Sequence, residues 1–324
     1  MQSPVIRPFD LRDVPLVAQL ENQGTPLNAE LALTQKPHPL QSALASFFSL
    51  GNRGRYTFVR RASLADPPER RAGLVQMRVR GDSTRGYITF IAPALSAGDG
   101  VEDIWADLVE HVGIEAGRGG VHHLIAEAPE DGDEVDVLRR AGFVIYLRQD
   151  IYHVEAAKAH RASLPEGALR ACEDADTWAI QQLYFNTAPR LAQLAEGAPQ
   201  PGHTRARRGY VDNEDTGSLG AYVELRRGSH GAWFNLIVHP DAESRAARIV
   251  SQALAQLGPD WDKPIYCGVR RYQEWLHRPL ESLGFAAYES SVLMVKHLVA
   301  HAPQPEVALA RAAVLEHAKI TTPG

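Results

Sequence analysis

Along the chain, short runs of alternating or wholly apolar residues give way to longer stretches with apolar positions three and four apart. Near the start, Val5-Ile6-Arg7 reads as a short strand, and Asp13, Val17 and Leu20 then follow at helical spacing. Tyr56–Val59, Gly73–Val79 and Tyr87–Ile91 have strand patterns, with the turn signal Asp66-Pro67-Pro68 after the first, and predict a β-meander. Val101–His111 predicts a helix whose apolar face carries Val101, Ile104, Trp105, Leu108 and Val109. His122–Ala126 follows as a strand, Glu134–Ala141 as a helix and Ile151–Val154 as a strand.

The second half repeats this order. Ala221–Leu225 and Trp233–Val238 read as strands, Asp241–Leu257 as a helix, Pro264–Val269 as a strand, Gln273–Leu283 as a helix and Leu293–Lys296 as a strand. Two anchors tie the halves together. Arg7, Asp13 and Leu20 match Arg170, Asp176 and Leu183 at one offset, 163. Leu138, Gly142, Phe143 and Tyr146 match Leu280, Gly284, Phe285 and Tyr288 at another, 142. The second copy is therefore shorter in its middle by a loop-sized 21 residues. Asp13 and Asp176 are placed as N-cap or first-turn carboxylates, and Gly142 and Gly284 as left-handed residues ending a helix.

The chain thus predicts an α/β protein (α+β, mixed sheet) made of two tandem copies, each a mostly antiparallel central sheet flanked by helices. The copies span 1–155 and 168–298, joined by a linker at 156–167. A tail at 299–324 carries a short apolar stripe between Pro305 and His317. At 44% hydrophobic and 23% charged, 324 residues suffice for two cores. A net charge of −5 gives no global attraction to nucleic acid or anionic membrane. Cys172 and Cys267 stand alone, outside any CxxC spacing, which argues against a disulfide framework or thiolate zinc site. His122 and His123 are adjacent on a strand and point to opposite faces, so they make no metal pair. No signal peptide precedes Val5, and no run approaches the roughly 20 apolar residues of a membrane span, so the expected location is cytoplasmic.

With Val5-Ile6-Arg7 and its copy, the strand ends Ile91-Ala92-Pro93 and Val238-His239-Pro240, and the paired Gly-Phe signatures, this order resembles the GNAT superfamily of acyl-CoA-dependent N-acyltransferases. The tandem layout is similar to that of the mycothiol synthases. The resemblance implies that the fourth and fifth strands of each copy splay apart. Acetyl-CoA or another acyl-CoA would lie in the gap as co-substrate, with its pyrophosphate at the start of the next helix.

Carried onto these residues, the resemblance places the cofactor at Ile91, Gly98, Gly100 and Val101 in the first copy. In the second it points to Val238, Arg245 and Arg248. Gly98 and Gly100 are spaced for a Gly-x-Gly turn, although Leu95 stands where the family has Arg or Gln. The same stretch also reads as a plain helix start, with Asp99 as N-cap and Glu102 three residues on. Pro240-Asp241 reads likewise as a cap, with Arg245 and Arg248 either on phosphates or on a solvated face. Leu138 and Leu280 occupy the position of the family's usual general-acid tyrosine. The candidate general bases are Glu127 and Glu224, both placed near strand ends. Arg205, Arg207 and Arg208, with Tyr210, form a basic cluster placed in an insertion ahead of the second meander. No metal is implied.

The expected activity is transfer of an acyl group from acyl-CoA to the amine of a small molecule or peptide, with the first copy preferred for CoA because of its two glycines. The alternative is a catalytically degenerate GNAT-fold protein that binds a ligand or partner. A monomer with pseudo-dimeric halves, or a homodimer, fits either.

Overall fold

The computed structural model describes residues 5–36, 38–48, 54–61, 72–79, 84–162, 169–204, 206–212 and 219–298. The Asp66-Pro67-Pro68 turn, Arg205 and the tail stripe lie outside the described residues. The N-terminal copy opens with β1 (Val5–Pro8), α1 (Val14–Leu20), the short β2 (Thr25–Pro26), α2 (Ala29–Thr34) and α3 (Pro39–Phe48). The meander β3 (Arg55–Arg61), β4 (Ala72–Val79) and β5 (Arg85–Ala92) follows, then α4 (Val101–Arg118), β6 (His123–Pro129), α5 (Asp133–Arg140) and β7 (Val144–Val154). The stretch from 156, read as a linker, begins as α6 (Ala156–Ala162), which packs on the second copy.

That copy comprises β8 (Leu169–Ala171), α7 (Thr177–Thr187), α8 (Arg190–Glu196), β9 (Arg207–Asp212), β10 (Ala221–Arg227), β11 (Ala232–Val238), α9 (Ala246–Ala255), β12 (Ile265–Arg270), α10 (His277–Ser282) and β13 (Ala286–His297). Arg207 and Arg208 therefore do not form a loop cluster: they begin β9, the first strand of the second meander, which the sequence had left unassigned.

Both anchors have local causes. Arg7 grips Asp13 with two hydrogen bonds of 2.8 and 2.9 Å, and Asp13 accepts the Asp10 N–H at 3.0 Å. Arg170 grips Asp176 with two of 2.8 Å, and Asp176 accepts the Glu173 N–H at 2.8 Å. Each clasp fixes the turn from first strand to first helix by charge-assisted pairing. At the other end, Gly142 and Gly284 take φ of +89° and +87°. The following Phe143 and Phe285 N–H groups donate back to Leu138 and Leu280, closing both helices alike.

The strands form one continuous sheet in the order β1-β3-β4-β5-β6-β13-β7-β12-β11-β10-β9-β8. Pairing along it is antiparallel except between β5 and β6 and between β11 and β12. The copies exchange their last strands. β13, which ends the second copy, pairs with β6 of the first, and β7, which ends the first, pairs with β12 of the second. β7 and β13 pair with each other at the centre. Beside this seam Arg271 bonds Glu130 (Nη1 to Oε1, 3.0 Å), and Arg148 bonds the same carboxylate at 2.8 Å.

Helices cross the seam too. α2 lies against β11 of the other copy, with Glu30 ion-paired to Arg226 and the His230 N–H donating to the Thr34 carbonyl at 2.9 Å. Reciprocally, α8 lies on β7, and Arg85 of β5 donates to the Ala195 carbonyl at 2.8 Å. Separate apolar cores fill each half: α4 contributes Ile104, Trp105 and Leu108 to the first, and α9 contributes Ile249, Val250 and Leu254 to the second. Among the described residues, no helix is long and apolar enough to cross a membrane.

Candidate active site

Two parallel strand pairs part company, one in each copy. β5 and β6 are in register from Arg85 and His123 to Tyr87 and Ile125, then diverge. β11 and β12 are in register from Ala232 and Ile265 to Asn235 and Gly268, then diverge. A parallel pair that splays exposes two rows of backbone groups, and each row needs partners.

In the N-terminal copy those partners come from the chain itself. β2 pairs antiparallel with β5, Thr25 opposite Ile91 and Pro26 opposite Phe90. Because β4 occupies the other edge of β5, β2 lies in the gap. The Leu27 N–H donates to the Thr89 carbonyl at 3.1 Å, and the Leu27 carbonyl accepts the Glu127 N–H at 3.0 Å. Glu127 is spent on the same structure. Its Oε2 accepts the Ala29 N–H at 2.9 Å at the start of α2, and its Oε1 accepts Gln149 at 2.5 Å and Ser291 at 2.7 Å. Ile91 and Val101 are buried, Ile91 behind β2 and Val101 at the first turn of α4.

The Gly-x-Gly turn is nonetheless formed. Gly98 and Gly100 take φ of +139° and +79°, and Gly100, not Asp99, is the N-cap of α4, with no side-chain cap bond. The capping alternative fails because the helix starts one residue later than the Asp99 cap requires. Glu102 in the first turn is ion-paired with Arg140 at 2.7 Å.

The C-terminal copy is the converse. The single helix expected from Asp241 starts as a 3-10 turn, Pro240–Arg245, and its N-cap is His239, whose Nδ1 accepts the Asp241 N–H at 3.3 Å. Arg245 pairs with buried Asp212 at 2.8 Å, and Arg248 is exposed. Glu224 is buried against Arg207, with the Tyr222 hydroxyl donating to it at 3.4 Å. Among the described residues, however, no strand enters the gap. A side chain reaches across it: the Gln273 amide donates to the Val238 carbonyl at 2.9 Å.

Buried polar groups collect around this open end. Glu196, at the end of α8, accepts the Tyr146 hydroxyl at 2.8 Å and pairs with Arg270, the last residue of β12, at 3.0 Å. Three buried atoms here have no hydrogen-bond partner among the described residues: the Tyr184 hydroxyl, Arg270 Nη1 and Gln273 Oε1. Such groups in a folded interior call for a ligand or water. Burial holds the tyrosines neutral. It raises Tyr184 and Tyr146 well above the ordinary phenol value and pushes Tyr272 up to about 12, with Arg270 opposing. They can donate hydrogen bonds at neutral pH but cannot act as bases. Tyr184, Glu196 and Gln273 escaped the sequence reading, because each falls within a helical pattern and they meet only through packing.

Solved structures superpose on this chain over most of its length. A tandem GNAT protein from the clavulanic acid biosynthesis pathway superposes with a TM-score of 0.53 at 13% identity, over 91% of this chain and 98% of that one. The chain has a tandem GNAT fold. A putative acetyltransferase from Pyrococcus horikoshii gives a TM-score of 0.52 at 14% identity, over 92% of this chain and 90% of that one. A GCN5-related N-acetyltransferase from Sphaerobacter thermophilus gives 0.51 at 11%, over 91% and 95%. No protein-family model and no curated protein matches the sequence. Within the GNAT fold the two copies are unequal: the first keeps the glycine turn and fills its gap, and the second leaves its gap open and alters the turn. Among the described residues no cluster of three metal-ligating side chains occurs.

Proposed function

We propose that this protein is an acyl-CoA-dependent N-acyltransferase in which the C-terminal copy carries the transfer. The supporting observation is the open splay of β11 and β12, ringed by Tyr184, Arg270 and Gln273 with unpartnered polar atoms. The sequence preference for the N-terminal copy rested on Gly98 and Gly100, and β2 in that copy's gap outweighs them. In the C-terminal copy the β11 edge from Leu236 to Val238 would take the pantetheine amides, and Arg270 would face the polarised thioester. The acceptor nitrogen attacks the thioester carbon, the C–N bond forms, the C–S bond breaks, and the departing thiolate takes up the proton that the acylated nitrogen loses. A base must take the ammonium proton first; both candidate carboxylates are ion-paired, and Glu196, held by Arg270 and the Tyr146 hydroxyl at the open end of β12, is the one placed at the cleft, whereas Glu224 is buried against Arg207 on β10. The acceptor is a small-molecule or peptide amine, and the N-terminal copy serves as a non-catalytic half.

Calorimetric titration with acetyl-CoA, followed by hydrogen exchange of the complex, tests this. The expected result is saturable binding with protection at residues 236–240. Absence of heat at millimolar acetyl-CoA in folded protein would overturn the activity. Protection at residues 89–92 instead would overturn the assignment to this copy.

A further inference from the structure

The short helix α8 has little apolar surface to hold it in place. Its buried side chains are Ala192 and Ala195, and Leu191 and Leu194 are exposed. Alanine methyls bury little area, so packing alone fixes such a helix weakly. Its start is tied within its own copy, where the Gln193 amide donates to the Phe185 and Ala188 carbonyls at 3.0 and 2.7 Å. Its end is tied across the seam. Arg85, the first residue of β5 in the N-terminal copy, donates from Nε to the Ala195 carbonyl at 2.8 Å. That carbonyl lies in the last turn, where carbonyls lack partners within the helix and a cation is favoured. Gly197 closes α8 at φ +70°, and a β-carbon there would fall 2.7 to 2.9 Å from three guanidinium atoms of Arg85, so the guanidinium rests against the helix end. The Arg85 backbone is fixed in turn, because it pairs with His123 in the part of β5 and β6 that stays in register.

Glu196 is the last residue of α8, between Ala195 and Gly197. We infer that Arg85 is a positioning residue for the C-terminal cleft: by holding the end of α8 it sets where the Glu196 carboxylate stands. This rests on the acyl-transfer reading above, with Glu196 as the base. Two residues of the N-terminal copy then serve the site of the other, because the Tyr146 hydroxyl of β7 bonds the Glu196 carboxylate itself at 2.8 Å. The half whose own gap is filled completes the cleft of its neighbour. A base must stand within hydrogen-bonding distance of its proton, and a displacement near 1 Å can cost about a hundredfold in rate. A shift at the end of α8 therefore acts on turnover before it acts on binding of the acyl donor.

The test compares full-length Arg85→Gln and Arg85→Lys with the parent and with Glu127→Gln, a destabilised variant altered away from α8. Hydrogen exchange comes first, because it needs no turnover. Exchange at residues 193–197, including the Gly197 N–H that donates to the Gln193 carbonyl at 3.0 Å, should quicken in Arg85→Gln and not in Glu127→Gln. With saturating acetyl-CoA and a panel of primary amines, kcat should fall about tenfold or more in Arg85→Gln, with the Kd for acetyl-CoA unchanged. It should recover in part in Arg85→Lys, which keeps the cation. Unchanged exchange in α8 would overturn the clamp. Quickened exchange with kcat at the parent level would overturn the positioning role and leave Arg85 as a structural residue. Quickened exchange together with a parent that binds no acetyl-CoA and acylates no amine would instead overturn the acyl-transfer reading, and the positioning role with it.

Discussion

The Glu127 N–H donates to the Leu27 carbonyl at 3.0 Å, across a gap that the parallel strands β5 and β6 leave between them. That bond makes Leu27 part of the sheet, and it turns Glu127 from a candidate base into a structural carboxylate. The C-terminal copy has Val269 at the position matching Glu127, 142 residues on, and among the described residues no strand lies between β11 and β12. The two gaps therefore differ in kind.

Glu127→Gln should destabilise the protein without touching catalysis in the other copy. An amide can accept at only one of its two heteroatoms, so either the Ala29 N–H or the Gln149 and Ser291 donors lose a partner. An unmet buried donor costs about 1–3 kcal/mol. The expected result is a lower melting temperature with unchanged kcat, measured by thermal unfolding beside an acetyl-CoA turnover assay.

Gly228→Ala should disturb the crossing of α2 onto the second copy. A β-carbon at Gly228 would lie inside the van der Waals radius of the Thr34 carbonyl oxygen, a backbone atom that cannot swing away. α2 would have to lift from β11, loosening the Glu30–Arg226 pair. Hydrogen exchange of residues 29–34 should quicken in this variant, while exchange in α9 should not.

How much of this was open to sequence reading depended on how local the cause was. The Arg7–Asp13 and Arg170–Asp176 clasps, and the helix ends at Gly142 and Gly284, involve residues within a few positions of each other, so they left matching spacings. Leu138 and Leu280 read as departures from a tyrosine position, and both are wholly buried core residues. The exchange of β7 and β13 left no such trace. Each has the apolar pattern of a central strand, and that pattern is the same whether the partner is β6 or β12. β2 is two residues long, too short for any periodicity, with Thr25-Pro26 as its only mark. Tyr184 and Glu196 meet Arg270 only after the sheet has closed.

The Glu130–Arg271 pair beside the seam should make stability depend on pH. Arg271 hydrogen-bonds Glu130 and, with Arg148, holds its carboxyl below the usual carboxylate range. A lowered folded value means that the pair stabilises the protein above the unfolded carboxylate value, near pH 4.3, and the contribution fades as pH falls through the lower folded value. Because Arg271 is partly exposed, screening limits the contribution to about 1 kcal/mol or less. Glu130→Gln should therefore be less stable than the parent at pH 7, by a margin that narrows at pH 3. Urea unfolding at the two pH values measures the difference.

Tyr184→Phe separates a ligand-facing hydroxyl from a structural one. The Tyr184 hydroxyl is buried and has no partner among the described residues, so its removal should leave the melting temperature unchanged or slightly raised. Tyr146→Phe is the control, because its hydroxyl bonds Glu196 at 2.8 Å and its loss should cost about 1 kcal/mol. If the C-terminal cleft receives acyl donor and acceptor, Tyr184→Phe lowers kcat/KM about tenfold, equivalent to about 1.4 kcal/mol of transition-state stabilisation, with no loss of fold. An unchanged kcat/KM in a protein of unchanged stability would mean that the hydroxyl faces no substrate. The reacting groups would then have to be sought elsewhere along the β11 edge, with Asn235, whose amide oxygen already accepts from Trp233 at 2.8 Å, as the next polar side chain on that strand.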